Sequence, residues 1–291
     1  MNRLNNEERA RILNCLVEGN SIRATCRMTG AAKGTVMKLL ADVGTACKRF
    51  HDEHVRNVKS LRVQCDEIWS FCYAKEKNVP EEYRGVFGYG DVWTWTAICA
   101  DTKLMISYRI GFRDAPEALR FMDDLRSRLA NRVQLTTDGH KPYLVAVNEA
   151  FGGDVDYAML VKIYGEPTGN VQERRYSAGE CCGAKKKVIC GHPARKDIST
   201  SFVERQNLTM RMSMRRFTRL TNGFSKKVEN LGHAIALHFM FYNYARIHQS
   251  LRVTPAMEAG LSDHVWSLEE IASLSDAATS QTPKLDKNTV S

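Results

Sequence analysis

The feature that most restricts this chain is a change of hydrophobic period at Leu61. Before it, apolar residues recur at helical spacing; after it, they fall into runs of strand length. Residues 61–69 form the first run, and 91–100 and 103–112 form the next two, joined by a turn at Asp101-Thr102. A helix over 115–129 follows, with Leu119, Phe121, Met122, Leu125 and Leu129 on its apolar stripe. A short strand over 132–137 ends at Asp138-Gly139, a helix covers 142–151, and a fifth strand covers 156–164. Three strands, helix, strand, helix, strand is the order of an α/β sheet layered with helices.

The segment before Leu61 predicts a small all-α domain over 1–43. Residues 5–18 carry Ala10, Ile12, Leu13, Leu16 and Val17 at helical spacing, and Gly19-Asn20 ends the run. Ser21 caps a short helix through Ile22, Thr25, Cys26 and Met28. Gly30 can take the positive φ of a tight turn, and Val36, Leu39 and Leu40 mark a third helix. This is a helix-turn-helix pattern with Lys33, Thr35 and Lys38 outward on its second, groove-entering helix. The same pattern also occurs in helical bundles that bind nothing.

Residues 44–60 read as a helix continuing into a linker, and 61–260 as the main domain. Within it, residues 165–198 are a Gly-punctuated basic insertion expected to be a long loop. A strongly apolar helix is expected over 228–245, and the tail over 261–291, polar after Ser273, is expected to be partly disordered.

Charge is distributed unevenly. The 291 residues carry a net +9, yet between Arg174 and Lys227 there are 14 Lys and Arg against 3 acids. A local excess larger than that of the whole chain points to a polyanionic partner. Arg211, Arg215, Arg216, Lys226 and Lys227 are the expected DNA-backbone contacts. The nine cysteines are odd in number and scattered, with no signal peptide ahead of them, which fits reduced thiols in a cytoplasm. No apolar run reaches the roughly 18 residues of a membrane span.

Three acids stand out against this basic background. Asp66 lies on an apolar strand, where an ionised carboxylate costs several kcal/mol unless something neutralises it. Asp138 sits where another strand ends, and Glu204 opens a late helix. Strand ends and helix starts can converge on one rim of an α/β sheet. Three carboxylates there would bind a pair of Mg²⁺ ions, and two such ions roughly 3.5–4 Å apart serve phosphodiester chemistry. Each acid also has a plainer role open to it. Asp66 can pair with an Arg, or Glu67 can be the ligand in its place. Asp138-Gly139 can be a turn, and Ser201 to Glu204 matches a capping box.

The segments Cys65-Asp66-Glu67-Ile68-Trp69-Ser70, Thr136-Thr137-Asp138-Gly139-His140 and Thr200 to Arg211 resemble those of DDE transposases of bacterial insertion sequences. The nearest likeness is to the family of the first-described insertion sequence. Tyr242-Asn243-Tyr244 with Arg246, His248, Leu251 and Thr254-Pro255 is also similar. The resemblance covers about residues 60–260 and is most specific around Glu204. It implies a ribonuclease H-like domain, with a mixed five-stranded sheet and helices, preceded by the helix-turn-helix domain.

It further implies Asp66, Asp138 and Glu204 as catalytic ligands of two Mg²⁺ ions, with Mn²⁺ able to substitute. The partners implied are double-stranded DNA, as terminal inverted repeats and target, and further copies of the chain. Water would free a transposon 3′ end, whose hydroxyl would then attack the target. A DNA-binding regulator with an inactive domain, or a related nuclease, are the competing readings. The spacing from Asp138 to Glu204 exceeds that of many relatives because 165–198 is inserted. The family often carries a cysteine-based zinc module ahead of its helix-turn-helix, but Cys15 and Cys26 stand alone, so none is expected here. Cys181, Cys182, Cys190 and His192 are metal-ligating types, but adjacent cysteines are poor structural ligands, which disfavours zinc there too.

Overall fold

The computed structural model describes residues 4–165, 181–218 and 223–279. Part of the basic insertion, 166–180, lies outside these, as do Arg219 and the end of the tail. The chain divides into two compact units that interleave along the sequence: residues 1–55, 70–91 and 209–291 in one, and 56–69 and 92–208 in the other.

The first unit is helical. It contains α1 (Asn6–Val17), α2 (Ile22–Thr29), α3 (Lys33–His54), α7 (Val228–Met240), α8 (Pro255–Glu258) and α9 (Leu268–Thr279). Local chemistry fixes the ends of the first two. Asn5 and Glu8 form a reciprocal capping box on α1, and Ser21 caps α2 through the Ala24 amide. Gly30 stops α2 in the left-handed region at φ 74°, where a side chain would be strained.

Three expectations change in this unit. The helix expected to fade into a linker over 44–60 runs unbroken to His54, because Val43, Ala46, Cys47 and His51 continue its buried stripe. Gly44 lets α7 approach: a Cβ there would stand 2.6 Å from the His233 backbone. The tail expected over 261–291 contains α9, which packs on α1 and α3 with Ile271 and Ala272 buried. Its anchor is Arg9, itself buried, which donates to the Ala272 carbonyl, Ser275 Oγ and Asp276 Oδ2. A cation on α1 therefore supplies the order that the polar composition of the tail does not suggest. The apolar helix expected over 228–245 is α-helical only to Met240 and closes with a π turn, Phe241–Ala245.

The second unit is built on a sheet of six strands rather than five: β1 (Arg62–Cys72), β2 (Gly90–Cys99), β3 (Met105–Gly111), β4 (Gln134–Thr137), β5 (Asp156–Tyr164) and β6 (Cys181–Cys190), in spatial order β3-β2-β1-β4-β5-β6. β1, β4 and β5 run parallel, while β2–β3 and β5–β6 are antiparallel pairs. The sixth strand comes from the expected loop. Its Lys185-Lys186-Lys187 run hides the strand period, yet three lysines on an edge strand discourage pairing with another chain. Helices α4 (Ala115–Arg128) and α5 (Pro142–Phe151) pack together, Trp95 of β2 meeting Phe121 and Tyr143. Helix α6 (Ser201–Ser213) meets the sheet through its first two turns. Among the described residues no helix is long and apolar enough to cross a membrane.

The Gly44 contact predicts opposite signs for two substitutions in one helix. Gly44→Ala overpacks α3 against α7 and should lower stability by about 1–3 kcal/mol. Gly34→Ala, with nothing within 4 Å of the added carbon, should raise it by up to about 1 kcal/mol. Thermal melts of the two variants check this, and equal shifts would refute the close approach.

Candidate active site

The register of β1 on β4 brings the first two acids together. Gln64 lies opposite Thr136, so two residues further on Asp66 falls beside Asp138. β4 stops at Thr137, leaving β1 without a neighbour on that side at this level. Successive strand residues face opposite sides, yet here the carboxylates of Asp66 and Glu67 both reach Asp138. The three offer ligand oxygens within 4.8 Å of one another.

Burial makes the cluster costly. Burial first, and then the charge of Asp138, push the Asp66 carboxyl up to about 7 and the Glu67 carboxyl up to about 7. Relief comes from few groups. Asp66 Oδ1 accepts from the Glu67 amide at 2.9 Å, and Oδ2 accepts from Asn207 Nδ2 at 2.8 Å. Arg113, stacked over Trp93, donates to Glu67 Oε2 at 3.0 Å and lies 3.6 Å from Asp138 Oδ2. Asp138 Oδ1 accepts from the His140 amide at 2.9 Å, so the turn expected at Asp138-Gly139 exists alongside its place in the cluster. Glu67 also meets the buried Tyr143 hydroxyl, which favours its ionised form, in a contact that falls short of a well-aligned hydrogen bond. Two acids pushed toward neutrality beside a third carboxylate are a donor set that a hard divalent cation would fit.

Glu204 stands outside the group of three. Its Oε2 accepts from Lys162 Nζ of β5 at 2.5 Å, and its Oε1 from the Thr200 hydroxyl. It lies near enough for its charge to contribute to the upward shift of Asp66. Glu67, the alternative ligand in the sequence, occupies the place closest to the other two.

The helix carrying Glu204 is held by β1. Gln64 Oε1 accepts from the amides of Phe202 and Val203, at 2.8 and 3.2 Å, capping the helix from across the fold. Asn207 on the next turn binds Asp66, and Thr96 of β2 donates to the Asp66 carbonyl at 3.0 Å. Sequence reasoning assigned no role to Gln64, Arg113, Lys162 or Asn207. Two signals were available. Gln64 is a polar residue two positions from Asp66 on an otherwise apolar strand, and Asn207 shares a helix face with Glu204 three residues on.

Of the expected nucleic-acid contacts, Lys33, Lys38, Arg215, Lys226 and Lys227 are exposed. Lys38 pairs with Asp42, whereas Thr35 and Arg211 are half-buried and Arg216 is more deeply placed than a surface contact would be. Cys181 and Cys190 stand at opposite ends of β6.

No protein-family profile and no curated protein sequence matches this chain. Among solved structures it is similar to a piggyBac transposase synaptic complex with hairpin DNA, at 11% identity and TM-score 0.41, over 98% of this chain and 75% of that one. A Mos1 strand transfer complex aligns at 10% identity and TM-score 0.24, over 83% and 78% of the two chains. Superpositions this loose carry no argument about chemistry, which has to come from the residues.

The raised carboxyls give a pH dependence of definite sign. Folded-state values of about 7 lie above the ordinary carboxylate range. The stability they contribute is therefore complete below about pH 4 and lost as the pH rises to about 7. Melts in EDTA should show the melting temperature falling over that window. Mg²⁺ should restore it at pH 8 and do little at pH 5, where protons compete. A Mg²⁺ effect independent of pH would contradict a carboxylate site.

Proposed function

We propose that this chain is a DDE-type transposase, which cuts DNA at the ends of an insertion sequence and joins the freed 3′ end to target DNA. The observation that carries the reading is the meeting of Asp66 and Asp138 at the end of a parallel strand pair, with Glu67 crowded against both. A sheet of parallel and antiparallel strands with helices packed on it supports a ribonuclease H-like reading of the second unit. Asp66, Asp138 and Glu204 are the proposed ligands of two Mg²⁺ ions, for which Mn²⁺ could substitute. When bound, such ions activate an attacking oxygen and stabilise a leaving one.

The remaining residues position this set. Asn207 on Oδ2 and the Glu67 amide on Oδ1 together orient the Asp66 carboxylate. Arg113 balances Glu67 and Asp138. Lys162 keeps Glu204 neutralised and must release it for that carboxylate to become a ligand. In the first unit, α2, Gly30 and α3 are proposed as a helix-turn-helix, with Lys33, Thr35 and Lys38 toward a DNA groove. Arg211, Arg215, Arg216, Lys226 and Lys227 are proposed to contact phosphates of terminal repeats and target. Joining two ends calls for at least two copies of the chain. A bacterial cytoplasm is the compartment this activity implies.

The Lys162–Glu204 ion pair favours one other reading, a DNA-binding regulator without catalysis, since it satisfies Glu204 with no metal.

A nicking assay on end-containing DNA with Mg²⁺ separates the two. Asp66→Ala, Asp138→Ala and Glu204→Ala should each lower cleavage by at least about a thousandfold while binding DNA like the wild type, on the scale of losing a principal transition-state stabiliser. Glu67→Gln should retain measurable cleavage. If the wild type binds but does not cut, the regulator reading stands.

A further inference from the structure

The first unit contains a cavity of about 700 Å³, within the roughly 300–1,000 Å³ range of small-molecule sites. Arg23, Lys33, Arg215, Arg216 and Lys226 line it, and no acid does. None of the five forms an ion pair among the described residues. Lys226 lies over the Phe224 ring at 4.5 Å. Ser225 is only 4% exposed, and its hydroxyl, on the cavity wall, has no hydrogen-bond partner. Arg216 is mostly buried, and its Nε is likewise unpartnered.

A buried cation without an anion is costly. Burial draws the Arg216 guanidinium below its ordinary value, and the one opposing influence is the Cys72 thiol. Burial pushes that thiol up to about 12, so it carries no charge at neutral pH. Among the described residues no carboxylate forms an ion pair with Arg216. Beyond the cations, Met37, Leu40 and Leu237 give the cavity an apolar side.

We infer that this cavity is a binding site for a phosphate-bearing nucleotide. The phosphate meets Arg215, Arg216, Lys226 and the Ser225 hydroxyl, while the less polar part of the nucleotide rests on the apolar side. Guanidinium forks and a hydroxyl suit phosphate oxygens, and a ring system suits the apolar side beside Phe224. The inference rests on the DNA reading and deepens it, because it gathers cations already proposed as phosphate contacts into one half-open nucleotide site in the first unit. The shared chemistry is a nucleotide phosphate, which either a DNA strand or a free nucleotide can present.

The test uses the full chain in EDTA, with two probes: a fluorescein-labelled single-stranded oligonucleotide followed by anisotropy, and dAMP followed by calorimetry. Arg215→Ala and Lys226→Ala alter exposed side chains and should leave the fold intact, as melts verify. Each should weaken binding by roughly tenfold, the scale of one charged hydrogen bond, and lower the salt dependence by about one phosphate contact. Ser225→Ala should weaken it less. Loss with dAMP supports the cavity site, and loss with both probes makes a strand end its source; loss confined to the oligonucleotide is what surface phosphate contacts alone would give and overturns the inference. Unchanged binding of both probes by the folded variants overturns the inference. Asp66→Asn keeps the two claims apart, since it should abolish cleavage and leave binding in EDTA untouched. If cleavage fails in the wild type while the cavity variants lose binding, only the transposase reading falls.

Discussion

The second unit depends on one join between distant parts of the chain, the docking of the start of α6 onto β1. Two helix amides that have no partner within their own helix end on Gln64, and one turn later Asn207 ends on Asp66. These contacts span about 140 residues of sequence. They set where Glu204 stands relative to Asp66, and removing Gln64 would orphan the Val203 amide in a buried place. Polar satisfaction, more than apolar packing, fixes the geometry of the candidate site.

Uncompensated charge recurs in each unit, with opposite sign. In the sheet unit three carboxylates crowd together with Arg113 as their cationic partner. In the helical unit five cations surround a cavity without an acid. Both arrangements work against folding stability. Ligands of complementary charge would offset both costs: the divalent cation proposed for the one and the phosphate inferred for the other.

Much of this was legible in the sequence because it is written in local periods. β1 to β5, α4 and α5 follow from alternation and helical stripes, and Ser21 and Gly30 set the ends of α2 through cap chemistry. β6 was not legible, because an edge strand buries little and its lysines carry no alternation. α9 was hidden for a related reason: its order comes from Arg9, some 260 residues away, and a long-range ion pair leaves no local signature. At the site, Asp66 could be read from its place within an apolar strand and Asp138 from the end of another. The position of Glu204 could not, because beside the local Thr200 hydroxyl it is held by Lys162, which comes from a strand 42 residues earlier.

The central claim is that Asp66 and Asp138 share a divalent cation and that Glu204 can join them. Anomalous diffraction from crystals soaked in Mn²⁺ tests it most directly. The account predicts manganese between Asp66 and Asp138, with the Glu204 carboxylate released from Lys162 and turned toward the metal. Crystals in which manganese avoids this cluster, with Glu204 still paired to Lys162, would contradict it.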